Sequence, residues 1–174
     1  MKFIPIESDF IYVNQPYLKD NNIYSGPDCY SDTVLQFGGW GQELDIDSHS
    51  KTVVSFSAIF SKKEIKKASL NIPKFINAQI TVEELTDMKH CMRIYYDEYS
   101  GWFCFGNKDS LRTGYRFAID TIAVINNGLL EAIFIHPIEK IISILFSGYF
   151  GSPFFMAIRL STEERWLLRN VADS

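Results

Sequence analysis

Asp45, Asp47 and His49 alternate along the chain. On an extended backbone they would share one face, where two carboxylates and an imidazole could hold a divalent cation. Asp28, Cys29 and Asp32 form a second group that could approach the first. Neither group has the spacing of a defined ligand set, and a solvated acidic strand or loop accounts for both more simply. No metal and no other cofactor is expected.

Nucleophilic catalysis needs a thiol or hydroxyl next to a base that a third group orients. Cys104, His136 and Asp120 supply those types. However, Cys104 shares a strand face with Trp102 and is flanked by Phe103 and Phe105, the setting of a buried, inert thiol. Glu83, Glu84, Asp97 and Glu98 offer carboxylates for hydrolysis, but neighbours in a strand point to opposite faces and loop carboxylates are usually solvated. The run Gly38-Gly39-Trp40-Gly41 lacks the lysine and hydroxyl residue of a phosphate-binding loop, and no dinucleotide fingerprint is present. No catalytic residues are assigned, and the chain is not expected to be an enzyme.

Charge is more informative. The 174 residues carry a formal charge of -4, too negative for a protein that binds nucleic acid mainly by neutralising phosphates. Lys62, Lys63, Lys66 and Lys67 have no interleaved stacking aromatics and read as a solvated helix face. Residues 1–50 hold eight carboxylates against two lysines, a balance of -6, so the remaining 124 residues sum to +2. Tyr12, Tyr17, Tyr24, Tyr30 and Trp40 lie in the same acidic stretch. Tyrosine and tryptophan are frequent interface anchors, and surrounding carboxylates steer a basic partner toward them. The candidate partner-binding residues are Asp28, Asp32, Glu43, Asp45 and Asp47 as charges, with Tyr24, Tyr30 and Trp40 as anchors. A soluble acidic surface with its aromatic residues turned inward explains the same composition.

The elements that must carry these residues are mostly strands. An apolar content of 47% and an aromatic content of 15% suit half-buried strands in one domain over residues 1–174, with no need of disulfides. Strands are expected over 2–7, 9–13, 33–37 and 51–60, the last with Val54, Phe56, Ala58 and Phe60 on one face. Residues 14–32 read as a long irregular connection, and residues 79–87 fit either a strand or a helical turn. Ser61 and Glu64 have capping-box spacing, which predicts a short basic helix before Pro73. Residues 91–96 and 102–105 flank a hairpin loop at 97–101, and residues 115–125 and 129–135 flank Asn126-Asn127-Gly128. A second capping box at Ser161 and Glu164 predicts a C-terminal amphipathic helix. The fold class is therefore α+β and β-rich: a mainly antiparallel sheet, as a meander or partly open barrel or sandwich, with a short middle helix and a C-terminal helix.

Residues 141–158 are uncharged, but Gly148, Gly151 and Pro153 interrupt them, so two apolar segments joined by a turn are expected and not a membrane span. The N-terminus, MKFIPIESDF, lacks the apolar core of an export signal, and three widely spaced cysteines, Cys29, Cys91 and Cys104, read as thiols; a cytoplasmic location is expected.

The segments YDEYSGWFCFG (96–106) and AVINNGLLEAIFIHP (123–137), in a small acidic β-rich chain, resemble the bacterial immunity proteins that neutralise polymorphic toxins, including those of contact-dependent growth inhibition. The resemblance implies a non-enzymatic cytoplasmic inhibitor that binds a cognate toxin domain, often a nuclease, and covers its active or substrate surface. It carries over no individual residue. Two other classes remain open: a barrel-like domain or enzyme enclosing a small molecule, and an assembly subunit that uses the apolar 141–160 stretch.

Overall fold

The structure, a computed structural model, describes residues 2–13, 15–25, 32–37, 41–83 and 91–139. All of them fall in one compact unit, Met1–Glu139. The expected C-terminal helix and the apolar 141–160 stretch lie outside the described residues.

In chain order the strands are β1 (Phe3–Glu7), β2 (Pro16–Lys19), β3 (Asn22–Ser25), β4 (Thr33–Gln36), β5 (Gln42–Asp47), β6 (Thr52–Ile59) and β7 (Ile65–Lys67). They continue as β8 (Phe75–Val82), β9 (Ile94–Tyr96), β10 (Phe103–Gly106), β11 (Gly114–Ala118), β12 (Thr121–Asn126), β13 (Leu129–Ile135) and β14 (Ile138–Glu139). The path of paired strands is β14-β2-β3-β6-β8-β11-β12-β13-β10-β9-β7, with β5 and then β4 branching from β6, and β1 from β8. Most pairs are antiparallel; β8 with β11, β7 with β9 and β2 with β14 are parallel.

The sheet folds over on itself. β6 and β10 are five places apart along the path, yet the rings of Phe56 and Phe105 meet edge-on at 4.8 Å, and that of Phe60, just past β6, lies tilted against Phe103 at 5.7 Å. Between these layers lie Leu44, Ile46, Ile80, Phe117 and Ile133, all buried. Burying each such side chain contributes about 1.5–3 kcal/mol. A second cluster covers the outer face of β10, β12 and β13: Cys104, Ile122, Val124, Ala132 and Phe134 pack under Leu70, Ala68 and Ile72. With both faces covered, these strands read as continuous apolar runs and not as alternating ones.

Two hairpins follow the sequence expectation. Tyr96 pairs with Phe103 across the 97–101 loop, and Asn126 pairs with Leu129 across Asn127-Gly128. Asn127 and Gly128 have φ of 51° and 79°, the two positive values of a type I′ turn, and a side chain at Gly128 would strike Lys2 Cγ at 2.5 Å.

Several expectations are corrected. No helix occurs among the described residues, so the middle helix is replaced by a turn and an edge strand. Half of the capping box forms: Ser61 N–H donates to the Glu64 carboxylate, while the Ser61 hydroxyl accepts the Lys63 N–H and Glu64 N–H donates to the Ser61 carbonyl. The turn does not propagate, because Ile65–Lys67 pairs with β9, and one turn alone does not offset the cost of helix nucleation. Residues 115–125 form two strands and not one, reversing at Ile119-Asp120, where Asp120 has φ of 50°. Much of the presumed 14–32 loop is the β2–β3 hairpin, turned by Asp20 and Asn21 with φ of 50° and 64°. Residues 9–13 contribute a single bridge, Tyr12 to Ala118. A bulge opposite Asp45 and Ile46 makes Val54 an extra residue, so Val53 joins Phe56, Ala58 and Phe60 in the core. The ambiguous stretch from 79 is strand as far as Val82.

Candidate functional site

β5 alternates buried and partly exposed residues: Gln42, Leu44 and Ile46 face the core, and Glu43, Asp45 and Asp47 face outward. Successive outward carboxylates on an extended strand stand about 7 Å apart. Register fixes their neighbours, placing Asp45 between Val34 of β4 and Ser55 of β6, and Glu43 between Gln36 and Ser57. Gln36 Nε2 donates to Glu43 Oε1 at 3.2 Å, and the Ser55 hydroxyl donates to Asp45 Oδ2. Burial pushes the Asp45 carboxyl above its ordinary value, the Ser55 bond opposes this, and the charge of Glu43 adds to it.

Asp47 ends the strand and caps the turn that follows. It accepts the Ser50 hydroxyl at 2.7 Å and the His49 N–H at 3.0 Å, and these bonds hold it below the usual carboxylate range. Asp32 accepts the Ser48 hydroxyl at 2.6 Å and the Ser48 N–H at 2.8 Å and is held low for the same reason. The negative charge of Asp32 is felt at Asp47, so the carboxylates of both segments meet at this end of the hairpin.

The structure thus brings together Asp32, Glu43, Asp45 and Asp47. Tyr24 lies in β3, which pairs with β6; Asp28, Tyr30 and Trp40 lie outside the described residues. Residue-by-residue reading missed two apolar members of the neighbourhood, Val34 at 44% exposure and Ile59 at 65%. For Ile59 a signal was available in its alternation with Ser55 and Ser57 on one side of β6, whereas the place of Val34 opposite Asp45 is set by register alone.

The arrangement does not assemble the other candidate chemistries. The chain leaves the strand after Asp47, so His49 stands in an exposed turn and not on a common face with Asp45 and Asp47. Among the described residues no group of three His, Cys, Asp or Glu side chains could hold a metal ion. Burial pushes the Cys104 thiol up to about 12, where it is no nucleophile at neutral pH. His136 stacks on Trp102 with ring centroids 5.4 Å apart, and the Asp120 carboxylate accepts Gln15 Nε2 at 2.9 Å. Asp97 is buried and accepts the N–H groups of Leu70 and Tyr99, both at 3.0 Å, tying the segment over the outer sheet face to the 97–101 loop. Glu98 pairs with Lys67 at 2.6 Å. Lys62 and Lys63 sit in the turn, and Lys66 and Lys67 on β7, so the expected helical pairing of lysines does not arise.

One narrow cavity, lined by Phe3, Leu44, Val53, Phe117 and other apolar side chains, is no larger than about one water molecule. No helix among the described residues is long and apolar enough to cross a membrane. Compared with family models, curated proteins and solved structures, the chain matches none of them.

Proposed function

We propose that this chain is a non-enzymatic inhibitor of the immunity type, which binds the basic surface of a cognate bacterial toxin domain through the outer face of β4, β5 and β6. A nuclease is the first candidate, because its active surface must be positive to receive phosphates. The observation that carries this reading is the outward row Glu43, Asp45 and Asp47, flanked by Asp32, small hydroxyls and two exposed aliphatic side chains. Such a row matches cations on a partner, while Val34 and Ile59 supply apolar contact.

The test is to express the C-terminal domain of the protein encoded immediately upstream of this chain's reading frame and to measure its binding to this chain by calorimetry and stopped-flow at two salt concentrations. Glu43→Lys is the most direct probe, since Asp32 and Asp47 also cap a turn and Asp45 is half buried. Charge reversal at a steering position acts chiefly on the association rate, and a loss of about tenfold or more at low salt, shrinking at high salt, is expected. Unchanged binding by Glu43→Lys and by the Asp28/Asp32 and Asp45/Asp47 reversals would show that the partner docks elsewhere.

A further inference from the structure

The outer side of β8 and β11 presents the opposite charge. Their parallel register places Arg116 beside Asn77 and Gly114 beside Phe75. Arg116 leans back so that its guanidinium carbon lies 4.8 Å from the Phe75 ring centroid, and its Nε–H donates to Asn77 Oδ1 at 2.9 Å. These two contacts hold the guanidinium over the ring at its Nε side and use one of its five N–H donors. Lys2, Lys67, Lys108 and Arg112 each have a carboxylate within 4.0 Å, but among the described residues Arg116 has none, although it is half buried. Phe75 beside it is 43% exposed, and Ile6, which pairs with Gln79 on the outward side of β1, is 51% exposed.

We propose that Arg116, Asn77 and Phe75 form a second docking surface, which takes a carboxylate side chain of a partner polypeptide together with an adjacent aliphatic residue. The argument is charge complementarity with orientation. A guanidinium carried over an aromatic ring and tethered at Nε keeps its terminal donors for one carboxylate, and arginine and aromatic residues are the usual anchors of interfaces. A lone arginine with an apolar neighbour suits a carboxylate beside an aliphatic group; phosphate sites more often gather several cations. This surface stands independently of the acidic face on β5.

The probe is N-acetyl-glutamyl-leucinamide, titrated to tens of millimolar into the full-length 15N-labelled chain and followed by NMR at the Arg116 Nε–H and the amides of Phe75 and Asn77. The expected result is a saturable shift at these signals. It should be at least about threefold weaker for the glutaminyl analogue, weaker again for Arg116→Lys, and absent for Arg116→Gln with an otherwise unchanged amide spectrum. No saturable shift, an equal response to the glutaminyl peptide, or equal binding by Arg116→Gln would overturn the proposal. Inorganic phosphate binding as tightly as the peptide would overturn the carboxylate assignment.

Discussion

Gln42 offers a sharp test of how the acidic strand is anchored. Its side chain is 4% exposed and makes two bonds to one backbone unit: Nε2–H donates to the Met92 carbonyl at 2.8 Å, and Met92 N–H donates to Oε1 at 2.8 Å. The amide thereby satisfies a donor and an acceptor in the segment leading into β9, and joins that segment to the start of β5. Gln42→Met keeps the volume but loses both bonds, leaving two backbone groups without partners. Each unsatisfied buried group costs about 1–3 kcal/mol, so a net destabilisation of about 2–4 kcal/mol is expected. Gln42→Glu should be no better: it keeps the acceptor for Met92 N–H, but sets a carboxylate oxygen against the Met92 carbonyl in a buried place. Urea denaturation followed by tryptophan fluorescence and circular dichroism reads the effect. With a slope of about 2 kcal/mol per molar, the midpoint should fall by about 1–2 M at unchanged slope. A Gln42→Met variant within about 0.5 kcal/mol of the parent would refute the claim that this paired amide holds the two segments together.

Asp45 predicts a pH dependence of the opposite kind from most carboxylates. Its folded-state value is raised, so the native chain binds the proton more tightly than the unfolded chain, and stability should fall as pH rises from 3.8 through the folded value. Asp45→Asn should remove that slope and be no less stable than the parent at pH 7; a loss above about 1 kcal/mol in denaturation at pH 7 would count against it. Asp97 has the usual sign. Its folded value is depressed by the Leu70 and Tyr99 N–H donors, so its contribution is present above 3.8 and fades as pH drops through the lower folded value. Asp97→Ala should abolish hydrogen-exchange protection at the Leu70 and Tyr99 amides, while a protected Leu70 amide would contradict the assigned bond. For the thiols, iodoacetamide at pH 8 should modify exposed Cys91 while leaving Cys104 untouched in the native chain, as peptide mass spectrometry would show.

How far the fold could be read in advance depended on the range of the interactions. Asn127-Gly128 announced its hairpin because two positive φ values in a row are cheap for those residue types, and the spacing of residues 97–101 did the same for the next one. Asp20-Asn21 holds an equal signal hidden among neighbouring turn-forming residues, so the sequence reads as loop where the β2–β3 hairpin forms. At Ser61–Glu64 the local signal was correct and its extrapolation was not. The Glu64 half of the box closed one turn, while pairing with β9, contributed by residues about thirty positions away, decided what came next. The acidic site was legible in part: alternation along 43–47 placed Glu43, Asp45 and Asp47 on one outward face, but extending that alternation to His49 failed where the strand ended.

The sequence by itself determined the β-rich class, the tight turns and the concentration of negative charge in the first fifty residues, because composition and backbone preference act locally and need no partner. Only the tertiary structure decided which carboxylates stand free and which serve the chain. Asp45 is lifted by burial in spite of the Ser55 hydroxyl that it accepts, Asp32 and Asp47 are held low by the turn they cap, and Asp97 is absorbed in tying one segment to another. It likewise set Arg116 on Phe75 with no carboxylate opposite it among the described residues. The physical reason is common to all of these. A side chain's charge state and availability depend on desolvation and hydrogen bonds supplied across strands, and strand register brings together residues that the chain itself holds far apart.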